Sequence, residues 1–402
     1  MRENVFLLIL TLSFFSCATG IPVTEKGSKP EILALPEATV PSSAPVPAPV
    51  PILPSLDNQL IIIAAGDNLY HDLMIGAGED GDYESSYREI KSLVKAADIA
   101  FINQETLLAG ADFGLSGYPN FNTPQKVGLA IAAAGFNVVN HATNHIMDKG
   151  EEAVFATMDF WDSVPRVKVL GIHRSEEERG LPVLVKKNNI TVGFLSYTYG
   201  TNAIPLPADK PYLVSLINTE IMAGEIDALR PLCDLLVVSM HWGEEYRHDY
   251  NKQQENLADF LAEHNADIVI GHHPHVIQPI KYIQRPDGRR MLCYYSLGNL
   301  ISAQSQSRTM LGAMAYIKIK KSIGPGGEAS VEFPEAGAIP LVTHYEKNHI
   351  NFCVYPLYTY TDELARKHWK NAEKTELTED NLRGMAASIF GDKEIKRNPF
   401  SY

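Results

Sequence analysis

Five short polar clusters, each set directly after an apolar run, constrain what this chain can fold into more than any other feature. Gly66-Asp67 follows Leu60–Ala65, and Asn103-Gln104-Glu105 ends the strand pattern that begins at Asp98. Asn140-His141-Ala142-Thr143-Asn144-His145 follows Phe136–Val139. His241-Trp242-Gly243-Glu244-Glu245 follows Leu235–Met240, and Gly271-His272-His273-Pro274-His275 follows Asp267–Ile270. Short apolar runs bounded by turn residues read as buried parallel strands. Helical patterns lie between them, over Tyr83–Ala97, from about Glu151, over Thr219–Leu229 and over Gln253–Asn265. A further helix opens at Thr123-Pro124, with Thr as cap and Pro in the first turn, and stops at Gly135. Ile190–Tyr197 is another strand. Strands alternating with helices predict an α/β layered fold, with central sheets flanked by helices. In such sheets the ligand crevice lies at the carboxyl ends of the strands, where all five clusters fall.

The chemistry of the clusters is that of a metal centre. Seven of the 13 histidines (71, 141, 145, 241, 272, 273 and 275) lie in or beside them. A single histidine after a strand is more often structural than a ligand, and Gly-Asp alone is usually a turn. Five clusters in one register are a different matter. Carboxylate, amide oxygen and imidazole donors suit zinc, manganese or iron, and no cysteine falls in the motifs to make a thiolate site. Two divalent cations a few ångströms apart would lower the pKa of a bridging water and clamp a phosphoryl oxygen.

After residue 275 the pattern turns to strands, over Val276–Ile283, Arg290–Tyr295, Met314–Lys320 and Ile350–Val354, with hairpin chemistry at Pro286-Asp287-Gly288. These predict β-rich additions at the C-terminal end of the α/β part. Beyond Tyr360 the chain is helical and charged. Cys233, Cys293 and Cys353 sit in apolar surroundings and read as buried packing residues. A net charge of −13 and a pI near 5.5 exclude a nucleic-acid partner, because phosphate backbones need a basic face.

The N-terminus points to export. Val5–Phe15 is apolar apart from Thr11 and Ser13, too short to span a bilayer and fitting the core of a secretory signal, with Arg2 as its positive flank. It ends in Ser16-Cys17, which resembles a bacterial lipoprotein signal with Cys17 as the lipidated residue. An ordinary signal peptide with an incidental cysteine is the alternative. Eight prolines between Pro30 and Pro54 favour an extended polyproline spacer. The expected organisation is a lipoprotein-type signal over 1–17, a proline-rich tether over 18–58, a folded domain over 59–360 and a helical extension over 361–402. The expected place is the cell envelope, held to the membrane by the lipid anchor alone.

The segments AAGDNLYH (64–71), INQET (102–106), ATNHIMDKG (142–150), HWGEEY (241–246), GHHPHVIQP (271–279) and YSLGNLI (295–301) resemble the CapA family of capsule-synthesis (poly-γ-glutamate biosynthesis) proteins. The resemblance implies the fold of the calcineurin-like metallophosphoesterases and one or two divalent metal ions. It assigns Asp67 and His275 to a first metal, Asn144, His241 and His273 to a second, and Glu105 to the bridge. It makes His145 the residue that stabilises the transition state or protonates the leaving group, with Asp148 orienting it, and places Asn299 at the pocket wall. Two departures stand out. Leu69 occupies a position where phosphoesterases usually carry a metal-binding histidine, leaving His71 to compensate, and Glu105 is one carbon longer than the usual bridging aspartate. Gln104, His141 and His272 receive no role.

Two functions follow from the resemblance. One is a metal-dependent hydrolase or transferase acting on a phosphoester or acyl substrate, in the synthesis, release or anchoring of an anionic envelope polymer such as poly-γ-glutamate, alongside membrane polymer-synthesis proteins. The other is a non-catalytic, membrane-tethered accessory protein that binds or guides the polymer through the same metal cleft.

Overall fold

The computed structural model describes residues 58–77, 82–304, 306–324, 329–372 and 377–400. The expected signal, its Cys17 and the proline-rich tether up to residue 57 lie outside them.

The first sheet is built around β1 (Gln59–Asn68), an isoleucine- and alanine-rich strand buried from Ile62 onward. On one side it continues in parallel through β2 (Ile99–Gln104), β3 (Val138–Asn140) and β4 (Lys168–Leu170). On the other side three long antiparallel strands follow: β12 (Leu311–Ile323), β13 (Ala329–Glu346) and β14 (Ile350–Pro356). A short strand, β11 (Asn299–Ile301), pairs in parallel with the last residues of β1. The second sheet runs β5 (Val183–Lys187), β6 (Ile190–Thr198), β7 (Leu235–His241), β8 (Ile268–His272), β10 (Arg290–Tyr294) and β9 (Ile280–Gln284). Its four inner strands are parallel, and both edge strands are antiparallel to their neighbours.

The two sheets share one apolar core: Ile63 and Phe101 from the first pack in the same cluster as Val237, Ile270 and Tyr294 from the second. The outer face of the second sheet is covered by helices Thr219–Leu229 and Lys252–Glu263, through Met222, Ile226, Leu257 and Leu261 against Leu236 and Val238. Helix Gln125–Ala134 brings Val127 and Ile131 onto the first. This is the layered α/β architecture, with β-rich additions, that the alternation predicts.

Three elements differ from the sequence expectation. The helix expected over Tyr83–Ala97 is a 3₁₀ turn at Glu84–Tyr87 followed by a helix at Lys91–Ala96. Tertiary hydrogen bonds pull the turn inward, with Tyr87 Oη donating to Asn68 Oδ1 at 2.8 Å. Ladder pairing expected from Val276 starts only at Ile280, because the preceding residues serve the polar cluster; His275 has φ of 58°. The 18-residue β13 escapes sequence reading because Pro334, Gly337 and Pro340 interrupt its pattern. Pro340 is tolerated since pairing with β14 begins one residue later, at Leu341.

The chain after Tyr360 forms helices Asp362–Lys367, Trp369–Ala372 and Glu379–Phe390. Leu382, Ala386 and Phe390 join the main core, and Lys396 N donates to Ala338 O at 2.8 Å. Two buried histidines tie this segment to β13. His344 Nδ1 lies 2.8 Å from Tyr360 Oη, and His368 Nε2 lies 3.0 Å from Thr343 O. Burial lowers both rings to about 4, with Arg88 and Lys367 adding to the effect on His344 and Glu346 lying 3.9 Å from its Nε2. An unfolded histidine titrates near 6.5, so between about 6.5 and 4 the unfolded chain binds more protons than the folded one. Stability is therefore expected to be held above pH 6.5 and to fall as the pH drops through this window. Melting curves from pH 7.5 to 4 should show that decline, with a shallower slope for His344→Asn.

Candidate metal centre

Strand register assembles the site. In the first sheet Asp67 pairs with Asn299 on one side and Asn103 on the other, and Asn103 pairs with Asn140. In the second sheet Thr198, His241 and His272 form the corresponding row. The asparagines fix the carboxylate: Asn140 Nδ2 donates to Asn103 Oδ1 at 2.6 Å, and Asn103 Nδ2 donates to Asp67 Oδ1 at 2.8 Å. Ser196 Oγ donates to Asn140 Oδ1, joining this chain to the second sheet. The sheets come together closely enough for the His272 ring to stack on Phe101 at 5.7 Å.

Two glycines permit the approach of the loops. A Cβ on Gly66 would lie 1.9 Å from Gly298 O, and one on Gly271 would lie 1.9 Å from Tyr295 O. Through the first contact Asp67 N donates to Gly298 O at 2.9 Å, which sets Asn299 beside His275. His273 and His275 carry φ values of 96° and 58°, conformations that L-residues adopt at a cost and that recur at functional sites.

The expected ligands converge. Asp67 Oδ2 lies 3.1 Å from His275 Nδ1 and accepts from His273 N at 3.3 Å. Asn144 Oδ1 lies 2.8 Å from His241 Nε2. Glu105 Oε1 lies 3.7 Å from His241 Nε2 and 3.8 Å from His275 Nε2, between the two groups. Three sets have ligand atoms all within 4.8 Å of one another: Asp67, Glu105 and His275; Glu105, His241 and His273; and Glu245, His273 and His275. The first two share Glu105.

The donor set fits divalent cations. Both Glu105 oxygens are buried with no hydrogen-bond partner, as are His241 Nδ1 and His273 Nδ1. A buried carboxylate left this way is expensive unless a cation meets it. Burial pushes Glu105 well above the usual carboxylate range, and Asp67, Glu245 and Asp148 push it the same way against His275. Burial also opposes ionisation of Asp67, but hydrogen bonding and positive charge from His272 and His275 hold its carboxyl well below the usual range. A cation would satisfy these groups together.

Beside the ligands stands an oriented imidazole. His145 Nδ1 lies 2.7 Å from Asp148 Oδ2, and the same oxygen accepts from Phe121 N at 2.8 Å. With Nδ1 held, Nε2 is the nitrogen left for chemistry. Asn202, unnoticed in the sequence, accepts from Asn144 Nδ2 at 3.0 Å and brings its own Nδ2 to 3.1 Å from His145 Nδ1. A cavity of about 370 Å³ opens here, lined among others by His71, Phe121, His145, Tyr246 and His275. His71 stands in its wall, its Nδ1 3.3 Å from both Leu69 O and Ala303 N, of which it bonds one in a given tautomer, and it belongs to none of the three ligand sets. Asn299 Oδ1 lies 3.1 Å from His275 Nδ1, while its amide nitrogen donates to Ser302, Gln304 and Thr309. His141 accepts from Trp161 Nε1, and Gln104 bonds Asn68 and Thr106, so both are structural. His272 reaches Asp67 Oδ1 at 3.5 Å from behind the site. Glu245, given no role by its sequence context, enters through the third ligand set.

Residues 61–304 match the family described as "Bacterial capsule synthesis protein PGA_cap". The chain belongs to this family. The PGA_cap segment contains every residue assigned above to the metal centre. Among curated relatives, the PGA biosynthesis protein CapA of Bacillus subtilis (strain 168) is 27% identical over 272 residues, covering 63% of this chain and 70% of that protein. The capsule biosynthesis protein CapA of Bacillus anthracis is 28% identical over 232 residues, covering 55% of this chain and 54% of its own length. The chain thus spans about half of that relative. Among solved structures, a putative 5'-nucleotidase from Staphylococcus aureus aligns over 69% of this chain and 54% of its own, at TM-score 0.41 and 15% identity. The NAD nucleotidase of Haemophilus influenzae aligns over 82% of this chain and 60% of its own, at TM-score 0.40 and 11% identity. Both TM-scores lie below 0.5.

The glycine contacts give a direct test of how the site is held. Gly66→Ala forces β1 away from the 297–299 loop, and overpacking of this kind costs about 1–3 kcal/mol. Urea unfolding should show that loss, together with weakened cation binding by calorimetry; an unchanged midpoint would mean the close approach is not needed.

Proposed function

We propose that the chain is a divalent-metal-dependent hydrolase or transferase of the cell envelope, exported and tethered through Cys17. It would act on a phosphoester or acyl centre in the synthesis, release or anchoring of an anionic polymer such as poly-γ-glutamate. The observation that carries this reading is the buried, partnerless Glu105 carboxylate between two histidine groups, with an oriented imidazole alongside.

Asp67, Glu105 and His275 would hold one cation, and Glu105, Asn144, His241 and His273 another. Cations there would lower the pKa of a bound water and offset the negative charge that builds on the oxygen of the phosphoryl or acyl centre under attack. The protein's own part is positional. The asparagine row holds Asp67, and Asp148 holds His145 Nδ1, which leaves Nε2 at the cavity to pass a proton to the leaving group. Among the described residues that line this cavity none is a lysine or arginine, so an anionic substrate would engage through the cations.

The family supports the pathway: relatives carry the names of capsule and PGA biosynthesis proteins. Among the described residues no helix is long and apolar enough to cross a membrane, and the tether hypothesis rests on residues outside them.

Metal analysis and a panel of phosphoester and γ-glutamyl substrates test the proposal. Asp67→Asn is expected to lower metal content and abolish turnover. His145→Ala is expected to keep the metal while losing roughly 10²–10⁴-fold in kcat, the usual worth of a general acid. Metal-free protein, or an Asp67→Asn variant with full activity, would refute it. Polymer binding without turnover, with full complementation of capsule formation by His145→Ala, would instead establish the accessory role.

A further inference from the structure

The three ligand sets overlap in a pattern that gives one residue outside the proposed machinery a distinct place. Glu105 is common to the sets of Asp67 and of His241, and faces both from the buried side. Glu245 is grouped with His273 from one set and His275 from the other, and it is the only exposed member of the three. Its backbone is stapled there. Gly243 turns the chain after β7 with φ of 93°, Tyr246 takes φ of 64°, and Tyr246 N donates to Pro274 O at 2.8 Å. That bond locks the 243–246 loop to the very loop that carries His273 and His275. A non-glycine residue in this conformation costs energy, and the stapling contact sets the loop beside the histidines. The second observation is independent: His273 Nδ1, in the same ligand set as Glu245, and both Glu105 oxygens are buried without hydrogen-bond partners.

We infer that Glu245 is a direct metal ligand that closes the centre from the solvent side, acting with His273 and His275. The inference rests on the metal-centre reading above. Glu245 adds a carboxylate oxygen to two imidazoles, and carboxylate and imidazole donors together suit a cation such as Mn²⁺. Glu245 also changes the charge balance. Two dications against Asp67, Glu105 and Glu245 leave a single net positive charge, enough to attract one anionic group of a substrate and to release its product.

The test uses the full chain stripped of metal and titrated with Mn²⁺ alone, followed by calorimetry and by the electron spin resonance of free Mn²⁺. The native protein is expected to take up two equivalents. Loss of a partner one shell further out already costs 10–100-fold in affinity, so Glu245→Gln is expected to weaken one equivalent by about a hundredfold and leave the other intact. Glu244→Gln, one residue away, is expected to keep both. Because Glu245 is exposed, the melting temperature of the stripped Glu245→Gln protein should match the native one, so that reduced binding cannot be ascribed to misfolding. Two equivalents bound by Glu245→Gln at native affinity would overturn the inference and leave the metal centre standing. No Mn²⁺ bound by the native chain would overturn the metal-centre reading itself.

Discussion

A carboxylate buried without a hydrogen bond is the constraint around which this molecule is arranged. Glu105 follows the end of β2, fully enclosed, with its Oε1 3.7 Å from His241 of β7 and 3.8 Å from His275 of the loop after β8. Nothing in the apolar core can compensate it, and its pull on Asp67, Asp148 and Glu245 is repulsive. A carboxylate in that position either takes up a proton or is offset by a cation. The histidines, amides and carboxylates that converge on the same few ångströms are each positioned by an element that is otherwise ordinary. The unusual part is the register that stops all of them at one level.

That register is a property of two sheets, not of one. Asp67 is held by Asn103, Asn103 by Asn140, and Asn140 by Ser196 of the second sheet. The line of side-chain hydrogen bonds therefore couples the carboxylate on β1 to β6 across the core. Gly66 and Gly271 give the loops room to meet, and the left-handed His273 and His275 turn their rings into the space so made. Backbone strain at the ligands and close backbone contacts behind them are two sides of one device: the site is rigid because its loops have nowhere else to go.

Much of this was legible in the sequence, for physical reasons. Apolar runs ending in polar residues mark the carboxyl ends of buried parallel strands and so gathered the five clusters; the family resemblance then singled out Asp67, Glu105, Asn144, His241, His273 and His275, which lie together in the structure. The core strands and the helix Thr219–Leu229 were equally plain, since their periodicity is not interrupted. What stayed hidden depended on tertiary contacts. β13 carries prolines that a strand tolerates only where its neighbour ends, which no local pattern reveals. The break in the helix expected over Tyr83–Ala97 comes from Tyr87 reaching Asn68. Asn202 sits 57 residues from His145, in a loop with no motif of its own, and only the folded chain sets it there. Glu245 was visible as a letter in HWGEEY, but an exposed glutamate after a strand has an ordinary explanation until its neighbours in space are known.

The cavity narrows what the proposed chemistry can act on. At about 370 Å³ it is of the size that takes one small group, not a length of polymer. Its wall is aromatic on the side of Tyr118, Phe121 and Tyr246, the Arg308 guanidinium lies 5.8 Å from the centre of the Tyr246 ring, and Tyr118 is 74% exposed at its edge. A polymer chain would therefore present one linkage or one terminus to the metal centre while the rest ran outside. The surface of a chain with net charge −13 does not attract a polyanion by itself. Recognition would then be confined to the reacting group, drawn in by the cations, and the growing or departing strand would be held by electrostatic repulsion away from the remainder of the protein. If the proposed chemistry holds, such an arrangement would suit a step at a chain end better than processive travel along a strand, because processivity needs a favourable track and no lysine or arginine is among the described residues that line this cavity.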